Sequence, residues 1–366
     1  MKTGRSLQDL AAEIERQNDS KKDYVASTSL MTIEPQADGR VSLGLPGKGA
    51  FPINDIAHSQ IAEHTGIPRR YYDKCLKEAP GLLKSNIEQW FHKYPAPRMV
   101  RTLDGNDRAF LSDKFAPLDN YDFAGATLPI LAERKLKVMS CEITERRLYI
   151  KAVDEQLFRD VPVGYKMGDG SHRLFDTCAP AAILSNSEVG FGRLVLETGV
   201  FTSGCTNMAL FAKGGMKRTH VGARHMMTEG MDVADLEEIM SQHTKRRTME
   251  ALWLQVRDVL KAAFDEKVLT KRLQELAEAS GRKITGNVEK VMEVVQTRFA
   301  LNDTERSSVF RHLIEGGNLS QYGLHAAITR SAQDADSYDR ATELEYAGGD
   351  VLELPRNEWT RLAEAA

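Results

Sequence analysis

The sequence predicts an α+β fold, with a mixed or antiparallel sheet body, packed helices and a helical C-terminal region. Three observations lead to this prediction. Short stretches with alternating apolar and polar residues and Asp-Gly turns recur as far as residue 210. Amphipathic helical stretches precede these strands in the first hundred residues, and from Val233 to about Leu313 the apolar spacing is again helical. We divide the chain into 1–97, an N-terminal hairpin and helical segment, 98–230, an α+β core, and 231–366, a mainly helical region that ends in a short strand.

The segment 1–97 begins with a short amphipathic helix from Leu7 to Arg16. The next stretch, "STSLMTIEPQADGRVSLGL", alternates around "QADGR" and predicts a β-hairpin with an Asp-Gly turn. Two helices follow in "INDIAHSQIAEHTGIPRRYYDKCL", because Gly66 can end one helix and Pro68 can open the next. A further helix is predicted for "PGLLKSNIEQWFHKY".

The segment 98–230 reads as strands around one helix. Asp119 and Asn120 are candidates to cap that helix, which runs towards Glu133. A glycine-rich loop from Gly164 to Ser171 leads into "LSNSEVGFGRLVLETGVFTSGCTNMAL", which predicts two strands on either side of a polar turn. The other four predicted strands are Met99 to Leu103, Arg108 to Ser112, Leu136 to Ile143 and Arg147 to Val153.

The segment 231–366 is predicted to be helical until its end. "MEALWLQVRDVLKAAF" and "VEKVMEVVQTRFAL" carry apolar residues at helical spacing, and "EGGNLSQYGLHAAITRSAQ" reads as a loop followed by a helix. The last stretch, "YAGGDVLELPRNEWTRLAEA", reads as a turn, a short strand and a final helical turn.

Charge is distributed unevenly along the chain, whose net charge is −3. Residues 231–366 hold 18 Lys and Arg against 24 Asp and Glu, so the first 230 residues are mildly basic. A basic body with an acidic end suits a protein that meets nucleic acid.

No apolar run is long enough for a membrane helix, and the N-terminus does not resemble a secretory signal. We therefore expect a cytoplasmic protein with no membrane partner.

The four cysteines are scattered and form no CxxC pair, so the sequence predicts free thiols and no structural zinc. Cys205 lies between Gly204 and Thr206 with no basic residue nearby to lower its pKa. It is interpreted as a small packed residue rather than a nucleophile. Asn186 and Asn207 are expected to tie turns to the backbone through their side chains.

The predicted strand "RRLYIKA" is a candidate nucleic-acid surface. Arg147, Tyr149 and Lys151 share one face of the strand because side chains alternate along it. Cations that neutralise phosphates, interleaved with a ring that stacks on bases, are typical of proteins that bind single strands. The alternative is an ordinary solvated sheet face.

The segment "KGGMKRTHVGARH" is the most basic stretch without an acid. Its glycines would let the backbone approach phosphates closely. A flexible surface loop with incidental charge is the alternative, and His220 and His225 lack the spacing of a helical metal pair. The candidate contacts in this segment are Lys213, Lys217, Arg218 and Arg224.

The hairpin "PRMVRTLDGNDRAFLSDKF" adds Arg98, Arg101 and Arg108 as candidates. If the hairpin neighbours "RRLYIKA", arginines on one sheet face would extend a cationic track. The alternative is that Arg98 and Arg101, which fall on opposite faces, form separate local ion pairs.

Two further functional classes stay open. "SQIAEHTGIPRRYY" fits a helix-turn-helix loosely, but an ordinary αα-hairpin with Ile61 and Ile67 in the core fits better. The sequence has no P-loop, GxSxG or HExxH motif, and no GxGxxG in a strand–turn–helix setting. Asp113 and Asp119 could belong to a metal-bound nuclease centre, but turn and cap roles explain them better, and a third ligand is missing.

Several short motifs, in order, resemble the phage- and plasmid-encoded proteins catalogued as domain of unknown function 932. They are "QIAEHTGIPRRYYDKCL", "RAFLSDKFAPLDNYDF", "LYIKAV", "ILSNSEVGFGRLVLETGVFTSGCTNMAL", "THVGARH" and "AGGDVLELPRNEWTRLAEAA". The resemblance covers roughly residues 55–366 and implies a bacterial or phage cytoplasm, without an activity. The order of hairpin, helix and cationic strands is also similar to the Rad52-like single-strand annealing proteins of phages. That similarity implies a ring or filament holding single-stranded DNA.

The sequence thus predicts a non-enzymatic, homo-oligomeric protein of a mobile element that binds or anneals single-stranded DNA. No catalytic residue, metal or cofactor is predicted. The alternatives are a metal-dependent enzyme acting on nucleic acid, with "LSDKFAPLDN" and "SNSEVGFG" lining its pocket, a duplex-DNA-binding regulator and a phage structural protein.

Overall fold

The structure is a computed structural model that describes residues 1–115, 117–166, 171–203, 206–211, 215–218 and 242–365. Within these residues the predicted α+β class is confirmed, since antiparallel sheets pack against helices and the C-terminal region is helical. The boundaries between the three segments of the chain stay predictions.

The N-terminal part contains two small antiparallel sheets and four helices. Its elements are α1 Leu7–Ser20, β1 Lys22–Ser27, β2 Thr32–Pro35, β3 Val41–Leu45, β4 Gly49–Pro52, α2 Asp55–Thr65, α3 Arg69–Glu78, α4 Pro80–Lys93, β5 Pro97–Leu103 and β6 Asn106–Ser112. One sheet has the strand order β1-β5-β6 and the other β2-β3-β4. The αα-hairpin interpretation of α2 and α3 is confirmed in its packing, because Ile61 and Ile67 are both buried.

The central part is an antiparallel sheet of seven strands. Its elements are α5 Asn120–Glu133, β7 Lys137–Ile143, β8 Leu148–Val153, β9 Arg159–Lys166, β10 His172–Asn186, β11 Leu194–Thr202, β12 Asn207–Leu210 and β13 Met216–Arg218. The order is β12-β11-β10-β8-β7, with β9 on the first half of β10 and β13 on the start of β11. Leu184 of β10 is opposite both Ile150 and Leu196, so β10 lies at the centre.

The C-terminal part is a set of helices. They are α6 Gln242–Ala263, α7 Glu266–Gly281, α8 Val288–Arg298, α9 Asp303–Gly316, α10 Gln321–Ser331, α11 Tyr338–Leu352 and α12 Arg356–Ala363. Helices α8 to α12 share one hydrophobic core. No helix in the described part of the chain is long and apolar enough to cross a lipid bilayer.

Helices cover both faces of the central sheet. Leu148 and Ile150 of β8 join a core with α1, α5 and α6, while Tyr149 and Val153 point to the opposite side, towards Tyr338 of α11. Because successive side chains alternate between the faces, every residue of β8 is buried. This burial decides the environment of the candidate side chains on that strand.

Two local predictions are wrong. The loop predicted from Gly164 to Ser171 begins inside strand β9, and 167–170 lie outside the described residues. The short strand near the C-terminus is also wrong, because "YAGGDVLEL" belongs to α11 and the residues that follow it. The sequence predicts a turn at Gly348 and Gly349, but both are helical residues of α11 that lie against neighbouring elements. A Cβ on Gly349 would collide with the carbonyl oxygen of Leu210, and one on Gly348 with Thr329.

Candidate nucleic-acid interface

A pocket of about 380 Å³ lies between the central sheet and α11. Strands β8, β10, β11 and β13 form one side, and α11 forms the other. Three of the sequence-predicted residues, Arg147, Tyr149 and Lys217, line it, together with Arg146 and Phe191. The structure therefore brings part of the "RRLYIKA" strand and part of the basic segment to one place.

Arg147 is held in place by three hydrogen bonds. Its Nε donates to the Ser185 hydroxyl at 2.9 Å, and its two terminal nitrogens donate to the carbonyls of Phe191 at 3.2 Å and Arg193 at 2.8 Å. Gly192 makes room for this guanidinium, because a Cβ there would collide with it, and its φ of 148° suits only glycine. The guanidinium thus closes the turn between β10 and β11.

Tyr149 and Lys151 do not form the exposed stacking face that their alternation predicts. Tyr149 is 5 % exposed and Lys151 is 0 % exposed, because α11 covers this face of the sheet. The Tyr149 hydroxyl donates to Asp339 at 2.7 Å, and Lys151 forms an ion pair with Glu345 at 2.6 Å. Burial raises the pKa of Tyr149 and lowers the pKa of Lys151. Neither side chain is available for stacking or for phosphate contacts in this arrangement.

The mouth of the pocket is more accessible. The Arg146 guanidinium lies 4.9 Å from the ring centre of Phe191, which is 39 % exposed. Arg146 and Arg193 are exposed, and Arg147 is half-buried. In the described part of the chain, no carboxylate lies within ion-pair distance of any of these three arginines. We call Arg146, Arg147, Phe191 and Arg193 the arginine rim.

Lys217, by contrast, is neutralised locally. Its ammonium lies 2.8 Å from Glu197, whose other carboxylate oxygen accepts a hydrogen bond from the Tyr346 hydroxyl. Burial raises the pKa of Tyr346, so it stays a donor. Arg218 is half-buried on β13, opposite Leu194. Lys213 and Arg224 lie outside the described residues, as do Cys205, His220 and His225.

Arg98, Arg101 and Arg108 do not extend the rim into a track. They belong to the β1-β5-β6 sheet, which is separate from the sheet that contains β8. Arg101 is fully buried and binds Asp23 and Asp119, each at 2.8 Å. Arg98 is half-buried over the Phe110 ring, and burial lowers its pKa. The local roles weighed as the alternative describe these arginines better.

Glu188, which sequence reasoning did not single out, is the partner of Arg108. It is 4 % exposed and also accepts a hydrogen bond from the backbone N–H of Asn120 at 2.7 Å. Asn186 donates to the Leu118 carbonyl at 2.6 Å, as expected of a side chain that ties the backbone. "SNSEVGFG" thus joins the two sheets, with Phe191 at its exposed end.

The acidic residues of α11 were also missed. Asp339 and Glu343 line the pocket, and Glu345 of the same helix is buried against Lys151. The sequence predicts a turn and a strand for the part of α11 that directly follows Glu345. The sequence does contain one signal for them: Asp339 and Glu343 are four residues apart, and residues at this spacing lie on the same face of a helix.

The residues proposed for a metal centre have other partners or lie apart from one another. Asp119 occupies the N-cap position of α5, but its carboxylate makes no capping hydrogen bond and instead binds Arg101 and Lys21. Across the residues that the structure describes, no group of three His, Cys, Asp or Glu side chains is placed to hold a metal ion. The metal-dependent alternative therefore gains no support from these residues.

Comparisons with known proteins assign no relative. No protein-family model matches the chain, no curated protein matches it, and no solved structure matches it. The two resemblances suggested by the sequence stay predictions, and function has to be argued from the pocket and its arginine rim.

Proposed function

We propose that the chain binds single-stranded DNA at the arginine rim. The observation that carries the proposal is the exposed Phe191 ring under the Arg146 guanidinium, in a turn that also binds Arg147 and carries the exposed Arg193. Among the residues that the structure describes, none of these three arginines has a carboxylate partner. A base can stack on an exposed ring, and this contact is worth roughly 1–3 kcal/mol. Guanidinium groups are well suited to phosphate oxygens.

The neighbouring charges favour this use of the rim. Asp339 is engaged by Tyr149, Glu197 by Lys217 and Tyr346, and Glu343 by Arg340 at 2.7 Å. Glu197 and Glu343 are thus each paired with a cation, whereas Asp339 accepts only a neutral hydroxyl and keeps its charge. The three arginines of the rim still outnumber this one unpaired acid in the pocket lining. Strand β13, which carries Lys217 and Arg218, is itself part of the basic segment that the sequence singled out.

A homo-oligomer is part of the proposal. Three arginines and one aromatic ring can contact only a few nucleotides, so several copies along one strand would add their contacts and raise the overall affinity. Light scattering with and without a long oligonucleotide tests this point. We expect a multiple of the 40.9 kDa chain, and a monomer under both conditions would contradict it.

The test of the site is a fluorescence-anisotropy titration with an unstructured DNA oligonucleotide at several salt concentrations. Three phosphate contacts predict a slope of about −2 for log K against log salt. Arg146→Glu should weaken binding and make the slope shallower by about 1 or more, since an acid also repels phosphate. Arg361→Glu, at an exposed position of α12, is the control with the same charge change. Absence of binding at low salt would overturn the proposal.

A further inference from the structure

Helix α4 ends in an exposed pair of aromatic rings. The rings of Trp90 and Tyr94 stack on each other, with their centres 5.9 Å apart and their planes 8° from parallel. Trp90 is 39 % exposed and Tyr94 is 62 % exposed. The ammonium group of Lys93 lies 5.2 Å from the centre of the Trp90 ring and 5.4 Å from that of Tyr94. Contiguous exposed apolar surface of this kind marks a site of interaction with another molecule.

Helix α3 adds a third exposed ring to this surface. The hydroxyl of Tyr71, which is exposed, accepts a hydrogen bond from the side-chain amide of Asn86 at 3.5 Å. Asn86 precedes Trp90 by four residues, so the two side chains lie on one face of α4. The three rings therefore belong to one surface that α3 and α4 share. We call Tyr71, Trp90, Lys93 and Tyr94 the aromatic stripe.

The surface around the aromatic stripe is cationic. Among the residues that the structure describes, four exposed cations of α3 and α4 have no carboxylate within ion-pair distance, namely Arg70, Lys74, Lys77 and Lys93. Two of the three acids in these helices, Asp73 and Glu88, are each paired with a cation. Glu78 is the remaining acid, so unpaired positive charge predominates on the two helices.

This combination fits a single strand of nucleic acid better than another protein. Interfaces between proteins are rich in Trp and Tyr but depleted in Lys. Proteins that bind single strands combine aromatic rings, which stack on bases, with cations, which neutralise phosphates. Bases inside a duplex already stack on one another, so a single strand offers its bases to Trp90 and Tyr94 more readily than a duplex does.

Helix α2 connects the stripe to the arginine rim. Its Gln60 donates a hydrogen bond to the carbonyl of Val189 at 2.8 Å, and Val189 lies two residues before Phe191. Arg69, at the start of α3, forms an ion pair with Asp55 of α2. The rim and the stripe thus belong to neighbouring parts of the fold that both contact α2.

We propose that the aromatic stripe is a second contact surface for single-stranded DNA and extends the site at the arginine rim. The proposal rests on the proposed function, because it concerns the same ligand, but it uses other residues. A strand that contacts both surfaces engages more nucleotides than the rim can contact alone. Substitutions in the rim and in the stripe should therefore each weaken binding of a long oligonucleotide.

Intrinsic fluorescence reports directly on the stripe. Of the three tryptophans, Trp90 is exposed, Trp253 is half-buried and Trp359 is buried. Titration with oligothymidylate of about 16 nucleotides should quench the emission, because a base that stacks on an indole ring quenches it. Trp90→Phe should remove this quenching and keep most of the affinity measured by anisotropy, since phenylalanine still stacks. Polyglutamate, which has negative charge but no bases, should not quench.

Two further variants separate stacking from charge. Trp90→Ala should lower the affinity for the oligonucleotide by about 5- to 150-fold, because it removes one stacked base. Lys93→Glu should weaken binding and make the slope of log K against log salt shallower by about 1. Arg361→Glu, at an exposed position of α12, is the control with an equivalent charge change.

The outcomes distinguish this proposal from the proposed function. If DNA binds and Arg146→Glu weakens it, but Trp90 is not quenched and Trp90→Ala binds equally well, the stripe is not a DNA surface and the rim stands. If Trp90→Ala changes the oligomeric state measured by light scattering and not the DNA affinity, the stripe is a contact between copies, which also overturns the proposal. Sensitivity to the stripe variants without sensitivity to Arg146→Glu would overturn the rim alone, and absence of DNA binding would overturn both.

Discussion

The ammonium group of Lys151 lies 2.6 Å from a carboxylate oxygen of Glu345, and neither side chain is exposed to solvent. Lys151 is on strand β8 of the central sheet and Glu345 is on α11, so this ion pair joins the sheet to the C-terminal helices. The ammonium also lies 4.5 Å from the centre of the Tyr338 ring. The pair therefore fixes the position of the helix that closes the sheet face.

Breaking this pair on one side should be costly. Lys151→Met leaves the Glu345 carboxylate buried without an opposite charge and should lower the free energy of unfolding by about 3–5 kcal/mol. Adding Glu345→Leu should restore most of that loss, because both charges are then gone. Urea unfolding measures both values. Lys290→Met, in an exposed pair with Glu293, is the control and should change stability by less than about 1 kcal/mol. Equal losses in the single and double variants would contradict this account.

Asp107 makes stability depend on pH. The residue has no solvent exposure, and burial raises the pKa of its carboxyl from the ordinary value of 3.8 to about 8. The folded protein then keeps a proton that the unfolded chain releases above about pH 4. Between about pH 4 and about pH 8, the contribution of this group to the free energy of unfolding therefore falls by about 1.4 kcal/mol per pH unit. Above about pH 8 the contribution is constant.

Asp107→Asn removes this proton exchange. The free energy of unfolding of the variant, minus that of the wild type, should therefore rise between about pH 5 and about pH 7, because only the wild type loses stability from this group as the pH rises. Urea titrations at intermediate pH values measure the difference between the two proteins. A difference that stays constant across this range would rule out a buried carboxyl that is protonated in the folded state.

Local patterns predicted most of the elements. The hairpin at "QADGR", the strands of "MVRTL" and "LYIKA", and the helix that begins after Asp119 are all present, because alternation, turns and helical spacing act over a few residues. The Asp119 side chain itself makes no capping hydrogen bond. The prediction of a short strand near the C-terminus was wrong for a local reason too. Gly348 and Gly349 look like a turn, and only the contacts with Thr329 and Leu210 explain glycines inside a helix.

The environment of the candidate site depended on contacts that are distant in sequence. Lys151 and Glu345 are almost two hundred residues apart, and no pattern within "RRLYIKA" indicates that α11 covers it. Alternation placed Tyr149 and Lys151 correctly on one face, but it could not distinguish a solvated face from one buried under a helix. The same holds for Arg101, whose partners Asp23 and Asp119 come from two other elements.

The contact between α11 and β12 gives a prediction for Gly349. Gly349→Ala would place a methyl group against the Leu210 carbonyl oxygen and should destabilise the protein by about 1–3 kcal/mol. Gly125→Ala is the matched control, because Gly125 is exposed within α5 with no atom within 4 Å of its added Cβ. That substitution should stabilise by about 0.5–1 kcal/mol. Thermal unfolding of both variants measures the contrast, and similar shifts would argue against close packing of α11.

Phe191 gives the most direct test of stacking at the arginine rim. Its ring is exposed and lies under the Arg146 guanidinium, so Phe191→Ala removes a stacking surface without opening a core cavity. If one base stacks there, the affinity for single-stranded DNA should fall by about 5- to 150-fold while the salt dependence is retained, because the phosphate contacts are unchanged.

Phe175→Ala is the control, since that ring is 56 % exposed on β10 and does not line the pocket beside α11. Equal affinity losses in the two variants would show that Phe191 is not the stacking residue, and equal affinity for a duplex of the same sequence would contradict single-strand recognition.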